Sequence, residues 1–281
     1  MEQRTAFQQL NLNNAFLFSA ALEQPDICRI ILEIIFGCKM PKVKVHAEHS
    51  ILISPDFRSV RLDIYASDET QVHYNLEAQN EHKGSLPKRS RYYQAEMDVS
   101  SLKPGDDFEA LRPGCVIFIC TFDPFDKGKY QYTFEERCLE ENFSLGDGTK
   151  KIFLNTKGKN DGEVSQELVH FLKYMEESTD QYVSGITDES IIELHERIEE
   201  LKKWRKLEGR YMRFEELLRD REKKGILQAR QESIFDLLQD YGNIPQDISD
   251  RISKEKDLAV LKQWMKLAAR SSSIEEFQEK M

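Results

Sequence analysis

Asp63, Glu77 and Gln79 each interrupt a run that is otherwise largely apolar, Ser59-Val-Arg-Leu-Asp-Ile-Tyr-Ala66 and Tyr74-Asn-Leu-Glu-Ala-Gln-Asn-Glu-His82. Both runs read as β-strands, near 58–66 and 71–81, with the short polar connection Ser67-Asp-Glu-Thr70 as a hairpin loop. Side chains alternate faces along a strand, so Glu77 and Gln79 point one way and Leu76 and Ala78 the other. Paired as a hairpin, the strands bring Asp63 beside the Glu77 and Gln79 face. Two carboxylates and an amide oxygen converging on a sheet suit a hard, oxygen-loving cation such as Mg²⁺. Acids on a half-exposed strand face are the competing reading, and the residue types alone leave both open.

The flanking elements must hold these residues in place. Before them, Phe16, Leu17, Ala20, Ile27, Ile30, Ile31, Ile34 and Ile35 recur at helical spacing with a break near Pro25, which predicts helices over 11–22 and 25–36. Gly37 stands where a helix ends, and Pro41 blocks continuation. Residues 42–54 alternate well enough for a strand. After the hairpin, residues 86–100 predict a helix carrying Arg89, Tyr92, Tyr93 and Met97. Cys115 to Phe122 is a nearly continuous apolar run, the pattern of a strand covered on both faces. Tyr130–Phe134 and Lys151–Asn155 are further strands, and Glu163–Met175 is a helix.

The pattern changes near residue 178, and from about 188 onward Pro245 is the one proline in a sequence rich in Glu, Lys, Arg and Leu. Ile191, Leu194, Ile198 and Leu201 form a short heptad-like stripe that could support dimerisation. Residues 226–240 and 256–270 read as helices around a break beginning at Tyr241-Gly-Asn-Ile-Pro245. The expected division is an α/β domain over 1–180 and an all-α C-terminal region over 188–281, used for DNA contact or self-association.

The chain has 281 residues, a formal net charge of −10, and 40% hydrophobic and 32% charged residues. The acidic balance argues against a protein that simply coats nucleic acid, because such proteins gain affinity by releasing counterions from phosphates. Positive charge is instead local. Lys83, Lys88, Arg89 and Arg91 cluster without an acid, and Lys202, Lys203, Arg205, Lys206, Arg210 and Arg213 cluster around Glu208 alone. Each run reads equally as a phosphate-binding patch or as a solvated helix face. Trp204 lies within the second run. Cys28, Cys38, Cys115, Cys120 and Cys138 are odd in number and widely spaced, which argues for reduced, mostly buried thiols. None has the Cys-x-x-Cys spacing of a zinc site. No stretch reaches the roughly 18 apolar residues of a membrane span. The N-terminal residues lack the basic start and apolar run of a secretory signal, so a cytoplasmic protein is expected.

The order helix, strand, strand with Asp, strand with Glu-x-Gln, helix, strand resembles the core of the PD-(D/E)XK nuclease superfamily. More narrowly, Leu62-Asp-Ile-Tyr-Ala66, Tyr74-Asn-Leu-Glu-Ala-Gln-Asn-Glu81 and Lys88-Arg-Ser-Arg-Tyr-Tyr-Gln-Ala95 resemble the Rpn group of recombination-promoting nucleases, described as transposases. Leu12-Asn-Asn-Ala-Phe-Leu-Phe18, Arg210-Tyr-Met-Arg213 and Tyr241-Gly-Asn-Ile-Pro245 are similar to that group too. The resemblance implies a restriction-endonuclease-like core, a mixed sheet flanked by helices, and Mg²⁺-dependent hydrolysis of DNA phosphodiester bonds linked to recombination or transposition, with Mn²⁺ as a substitute. Asp63, Glu77 and the backbone carbonyl of Ala78 would hold the metal.

Gln79 would take the position where the superfamily usually has lysine. It could orient water without supplying charge, which leaves Lys83 or Arg89 to provide that charge. Lys83, Lys88, Arg89, Arg91 and Tyr93 would contact DNA, although at least one of Tyr92 and Tyr93 is expected to anchor its helix on the sheet. Glu33 is a candidate third acid, or a residue on the solvated side of its helix. The rival expectation is a catalytically silent DNA-binding or regulatory protein on the same fold. A homodimer through the C-terminal helices is a further expectation.

Overall fold

The computed structural model describes residues 6–46, 64–67, 69, 72–82 and 84–281. The first helices are α1 (Ala15–Leu22) and α2 (Pro25–Phe36). The Asn14 side chain caps α1 by accepting from the backbone N–H groups of Phe16 and Leu17. Pro25 opens α2, where its missing N–H costs nothing, and Gly37 closes it at φ 65°, a left-handed value that glycine adopts freely. The strands β1 (Lys44–His46), β2 (Ile64–Ser67) and β3 (His73–Gln79) come next, followed by α3 (Leu86–Ser101). After these come β4 (Gly114–Cys120), β5 (Gln131–Phe134) and β6 (Thr149–Asn155). The helices α4 (Gln166–Glu176), α5 (Asp180–Val183) and α6 (Glu189–Lys202) complete the order up to residue 202.

The described strands form one mixed sheet in the order β1-β2-β3-β4-β6-β5. β1, β2 and β3 pair antiparallel, so the expected hairpin is present, with Ile64 opposite Leu76 and Ser67 opposite His73. β3, β4 and β6 run parallel, and β5 closes the edge antiparallel to β6. The parallel step from β3 to β4 needs a crossover, and α3 is that crossover. β4 is buried along its whole length, as its continuous apolar run requires when helices cover both faces.

Alternation along β3 divides the two layers. Tyr74 lies on one face, where its ring meets Phe36 of α2 at 5.7 Å between centroids. Glu77 lies on the other, beside Phe118 of β4 in the ladder. Phe118 stacks on Phe153 of β6 at 5.4 Å and on Tyr93 of α3 at 6.0 Å. These rings, with Leu86, Met97, Val116 and Cys120, form the core under α3.

The chain divides into two compact units, residues up to Glu208 and residues from Gly209. In the first, α6 packs with α2 and α4. The stripe Ile191, Leu194, Ile198 and Leu201 is almost completely buried there, so its apolar face is covered within the chain rather than left for a dimer seam. The segment before α1 is stapled to the end of α4. Asn13 N–H donates to the Met175 carbonyl at 2.8 Å, Leu12 N–H to Ser178 Oγ at 2.8 Å, and Ser178 N–H to Asn11 Oδ1 at 2.9 Å.

The second unit contains most of α7 (Arg205–Gln239), with α8 (Gln246–Lys254), α9 (Leu258–Ala268) and α10 (Ile274–Lys280). Its own core joins Ile234, Leu238, Ile248, Ile252, Leu261, Trp264 and Phe277. The sequence pattern predicts a helix only from 226, yet α7 begins at Arg205 and runs through Gly209 and Gly225. Each glycine costs about 1 kcal/mol relative to alanine, too little to stop a helix built from Arg, Lys, Glu and Leu.

Among the described residues, no helix is long and apolar enough to cross a membrane.

His195 of α6 ties the first unit's helices together. Its Nδ1 meets the buried Tyr174 hydroxyl at 3.0 Å and its Nε2 meets Asp180 Oδ1 at 2.8 Å. His195→Ala leaves the Tyr174 hydroxyl buried without that partner, and is expected to lower stability by about 1–3 kcal/mol in urea unfolding. Adding Tyr174→Phe should recover part of the loss, because it removes the stranded hydroxyl. A double variant no more stable than His195→Ala would show that the hydroxyl is not what carries the cost.

Candidate active site

Glu77 and Gln79 leave β3 on the same face, two residues apart, near the end where β3 and β4 run out of the core. The Glu77 side chain is 14% exposed. A carboxylate this deep needs a counter-charge, and α3 provides it. Arg89, in the first turns of α3, donates from Nη2 to Glu77 Oε1 and from Nη1 to Gln79 Oε1 at 2.8 Å. Nη2 also donates to the Tyr93 hydroxyl at 3.0 Å, one helical turn along. The guanidinium lies over the rings of Tyr93 and Phe118, 5.6 and 5.5 Å from their centroids. Burial works against the Arg89 charge, but Glu77 and Tyr93 outweigh it and hold the guanidinium above its ordinary pKa.

Gln79 closes the network. Its Nε2 donates to Glu77 Oε1 at 2.5 Å and to the Ala78 carbonyl at 3.0 Å. Three oxygens therefore gather at this strand end: the Glu77 carboxylate, the Ala78 carbonyl and the Gln79 amide oxygen. All are hard donors of the kind Mg²⁺, Mn²⁺ or Ca²⁺ selects, and no soft ligand is among them. Asp63, the second expected carboxylate, lies outside the described residues, as does Lys83. Among the described residues, no three His, Cys, Asp or Glu side chains converge to hold a metal.

The remaining expected residues separate by environment. Lys88 and Arg91 are exposed on the outer stripe of α3, together with Tyr92, which is 54% exposed. Tyr93 is 5% exposed and stacked on Phe118, so a DNA base has no free face of this ring to stack on. Tyr93 is the anchor, and Tyr92 is the accessible ring of the pair. Glu33 is neither solvated nor free. It accepts from Arg29 at 2.9 Å, Lys39 at 3.0 Å and the Met40 N–H at 3.1 Å, closing the turn after α2. Burial raises its pKa, and these donors outweigh it and hold the carboxyl below its usual range.

In the second basic run, Lys202 is buried against Glu199 at 2.9 Å, while Lys203, Arg205 and Lys206 are exposed around Trp204. A cleft of about 340 Å³ opens at the start of α3, lined by His82, Gly84, Ser85, Leu86, Pro87 and Phe122 among others. His82 follows Gln79 by three residues, and Phe122 follows Cys120, the ladder partner of Gln79. The cleft thus lies at the carboxyl ends of β3 and β4, where open α/β sheets bind ligands. Composition did not single it out, because its walls come from two loops far apart in sequence.

A family model described as PD-(D/E)XK nuclease family transposase matches residues 23–228, from the helix before the sheet into α7. No match was found among curated proteins or among solved structures.

Two measurements check this geometry. A double-mutant cycle of Glu77→Gln and Arg89→Met in metal-free protein should give a coupling of about 1–3 kcal/mol, the range of a charge-assisted hydrogen bond between half-buried groups. Coupling near zero would mean that the pair does not stabilise the fold. Separately, burial pushes the thiols of Cys28, Cys115 and Cys120 up to about 12, whereas Cys38 is exposed. Iodoacetamide at pH 8 should label Cys38 in the native protein and spare those three until unfolding. Rapid native labelling of Cys120 would show a reactive thiol where burial predicts an inert one.

Proposed function

The chain belongs to the PD-(D/E)XK nuclease family transposases, and on that premise we propose that it is a divalent-metal-dependent DNA endonuclease linked to recombination or transposition. The observation that carries the proposal is the convergence of the Glu77 carboxylate, the Ala78 carbonyl and the Gln79 amide at the open end of β3, with Arg89 beside them.

Glu77 and the Ala78 carbonyl would hold Mg²⁺ or Mn²⁺ together with Asp63, which directly precedes Ile64, the ladder partner of Leu76. A bound divalent cation supplies Lewis acidity to the phosphate and lowers the pKa of water. Gln79 orients the attacking water through its amide, a role that needs a dipole and not a charge. The positive charge that a lysine would bring must come from a neighbour, and Arg89 is in hydrogen-bond contact with Gln79. Lys88 and Arg91, exposed on α3, suit phosphates flanking the cut, and Lys83 is assigned to the same role from the sequence. The exposed residues around Trp204 suit a second stretch of the same polyanion.

One observation favours the rival reading of a silent DNA-binding protein. Glu77 is already paired with Arg89, which gives its carboxylate a counter-charge without a cation.

The test is plasmid nicking with Mg²⁺ and with Mn²⁺. The expected result is cleavage by wild type and a loss of more than about 10²-fold in Glu77→Gln, since the metal's contribution of several kcal/mol goes with its ligand. Equal nicking by the two proteins would dismiss this site. Salt-dependent DNA binding with no cleavage under any divalent cation would select the silent reading.

A further inference from the structure

Glu77 Oε1, the Ala78 carbonyl and Gln79 Oε1, three of the oxygens gathered at the end of β3, are each engaged by an N–H donor. Glu77 Oε1 accepts from Arg89 and from Gln79, the Ala78 carbonyl accepts from Gln79, and Gln79 Oε1 accepts from Arg89. A guanidinium thus already occupies Glu77 Oε1, an oxygen of the carboxylate that a hard cation would compete for. We propose that Arg89 is the mobile charge of this site: it neutralises Glu77 while no metal is bound, and turns to the scissile phosphate when a divalent cation takes the carboxylate. This rests on the nuclease reading above and assigns the charge that Gln79 lacks.

Four features support the assignment. Arg89 is bonded through Nη1 and Nη2, and its side chain keeps 29% exposure, so it is held but not entombed. Nη2 also donates to the Tyr93 hydroxyl at 3.0 Å, and the rest of the side chain's support is the faces of Tyr93 and Phe118, across which a guanidinium can slide while it keeps contact. The cleft lined by His82, Ser85 and Leu86 begins within one helical turn of Arg89 along α3. Finally, a second positive charge at Glu77 repels the guanidinium at the moment an anionic phosphate enters, so the two events favour the same movement. Arg89 would act in cleavage as a bidentate donor to the phosphate oxygens, the geometry for which arginine exceeds lysine.

The test follows Arg89 itself, not turnover alone. In ¹⁵N spectra, the Arg89 Nε–Hε resonance is assigned by its absence in Arg89→Lys. Saturating Mg²⁺, checked by calorimetry and without DNA, should shift this resonance and reduce its protection from exchange. A resonance unmoved at saturation overturns the proposal. Calorimetry of Arg89→Met should show Mn²⁺ binding about tenfold tighter than wild type, the equivalent of one charge-assisted hydrogen bond no longer competing. Unchanged or weaker binding overturns it.

Cleavage by Arg89→Met should fall roughly 10²-fold in kcat, the usual cost of losing one oxyanion donor, with partial recovery in Arg89→Lys. Wild-type kcat in Arg89→Met also overturns it. Should Arg89→Met fail to fold, Arg89→Lys decides by the same titration: a single, shorter-reaching ammonium replaces the two-nitrogen fork on Glu77 and Gln79, so its metal affinity should exceed that of wild type. Glu77→Gln separates the two levels of inference. If it binds metal and cuts normally, the site itself is wrong. If it loses both while Arg89 fails its own tests, the nuclease reading stands and the role of Arg89 does not.

Discussion

Everything at this site follows from placing a carboxylate on the buried face of a parallel strand. β3 has neighbours on both edges, β2 and β4, and is covered by helices on both faces. Its side chains therefore have no neutral direction to choose. Tyr74 and Leu76 fill one layer, and Glu77 is committed to the layer containing Phe118 and Phe153. A charge there must be compensated within hydrogen-bond reach. The crossover helix from β3 to β4 is the nearest element that can do so, and Arg89 enters from its first turns. Tyr93, one turn later, packs that helix onto the sheet and steadies the guanidinium with its hydroxyl. The aromatic core under α3 and the polar network at its start are thus a single arrangement.

Much of this was legible in the sequence where one strong local signal decided an element. The helices α1 and α2 were bounded by Pro25 and Gly37, whose backbone preferences need no tertiary information. β4 is legible in the nearly continuous apolar run from Cys115 to Phe122, and the hairpin of β2 and β3 in alternation across a short polar loop. Glu77 and Gln79 were found because polar residues in an apolar run are exceptions that ask for a reason. The Ala78 carbonyl came only through the family resemblance, since every residue has one. Asp63 came by the same reasoning as Glu77 and remains a proposal.

What escaped the sequence depended on which side of a helix a residue occupies once neighbours are chosen. Lys88, Arg89 and Arg91 are chemically alike and adjacent, yet Arg89 alone turns inward, because Tyr93 and Phe118 fix the helix's rotation about its own axis. Tyr93 is buried and Tyr92 exposed for the same reason. The α6 stripe looked like a seam for another molecule because periodicity reports that a face is apolar, not what covers it, and α2 and α4 cover it here. Glu33 was open between metal ligand and solvated acid, and its partners Lys39 and Met40 lie in the turn beyond the helix, where helical spacing does not look.

The staple between the segment before α1 and the end of α4 bears on how the molecule comes into being. Asn11, Leu12 and Asn13 find their partners at Met175 and Ser178, more than 160 residues later in the chain. A ribosome needs on the order of ten seconds to cover that distance. Throughout that interval α1 and α2, with their many buried isoleucines and leucines, exist without the helices that will cover them. Closing so long a loop is also slow by its nature, since its entropy is lost before its contacts form. The first unit is therefore a fold that locks late. Its N-terminal helices are among its most apolar parts, and they depend longest on whatever shields nascent chains from one another.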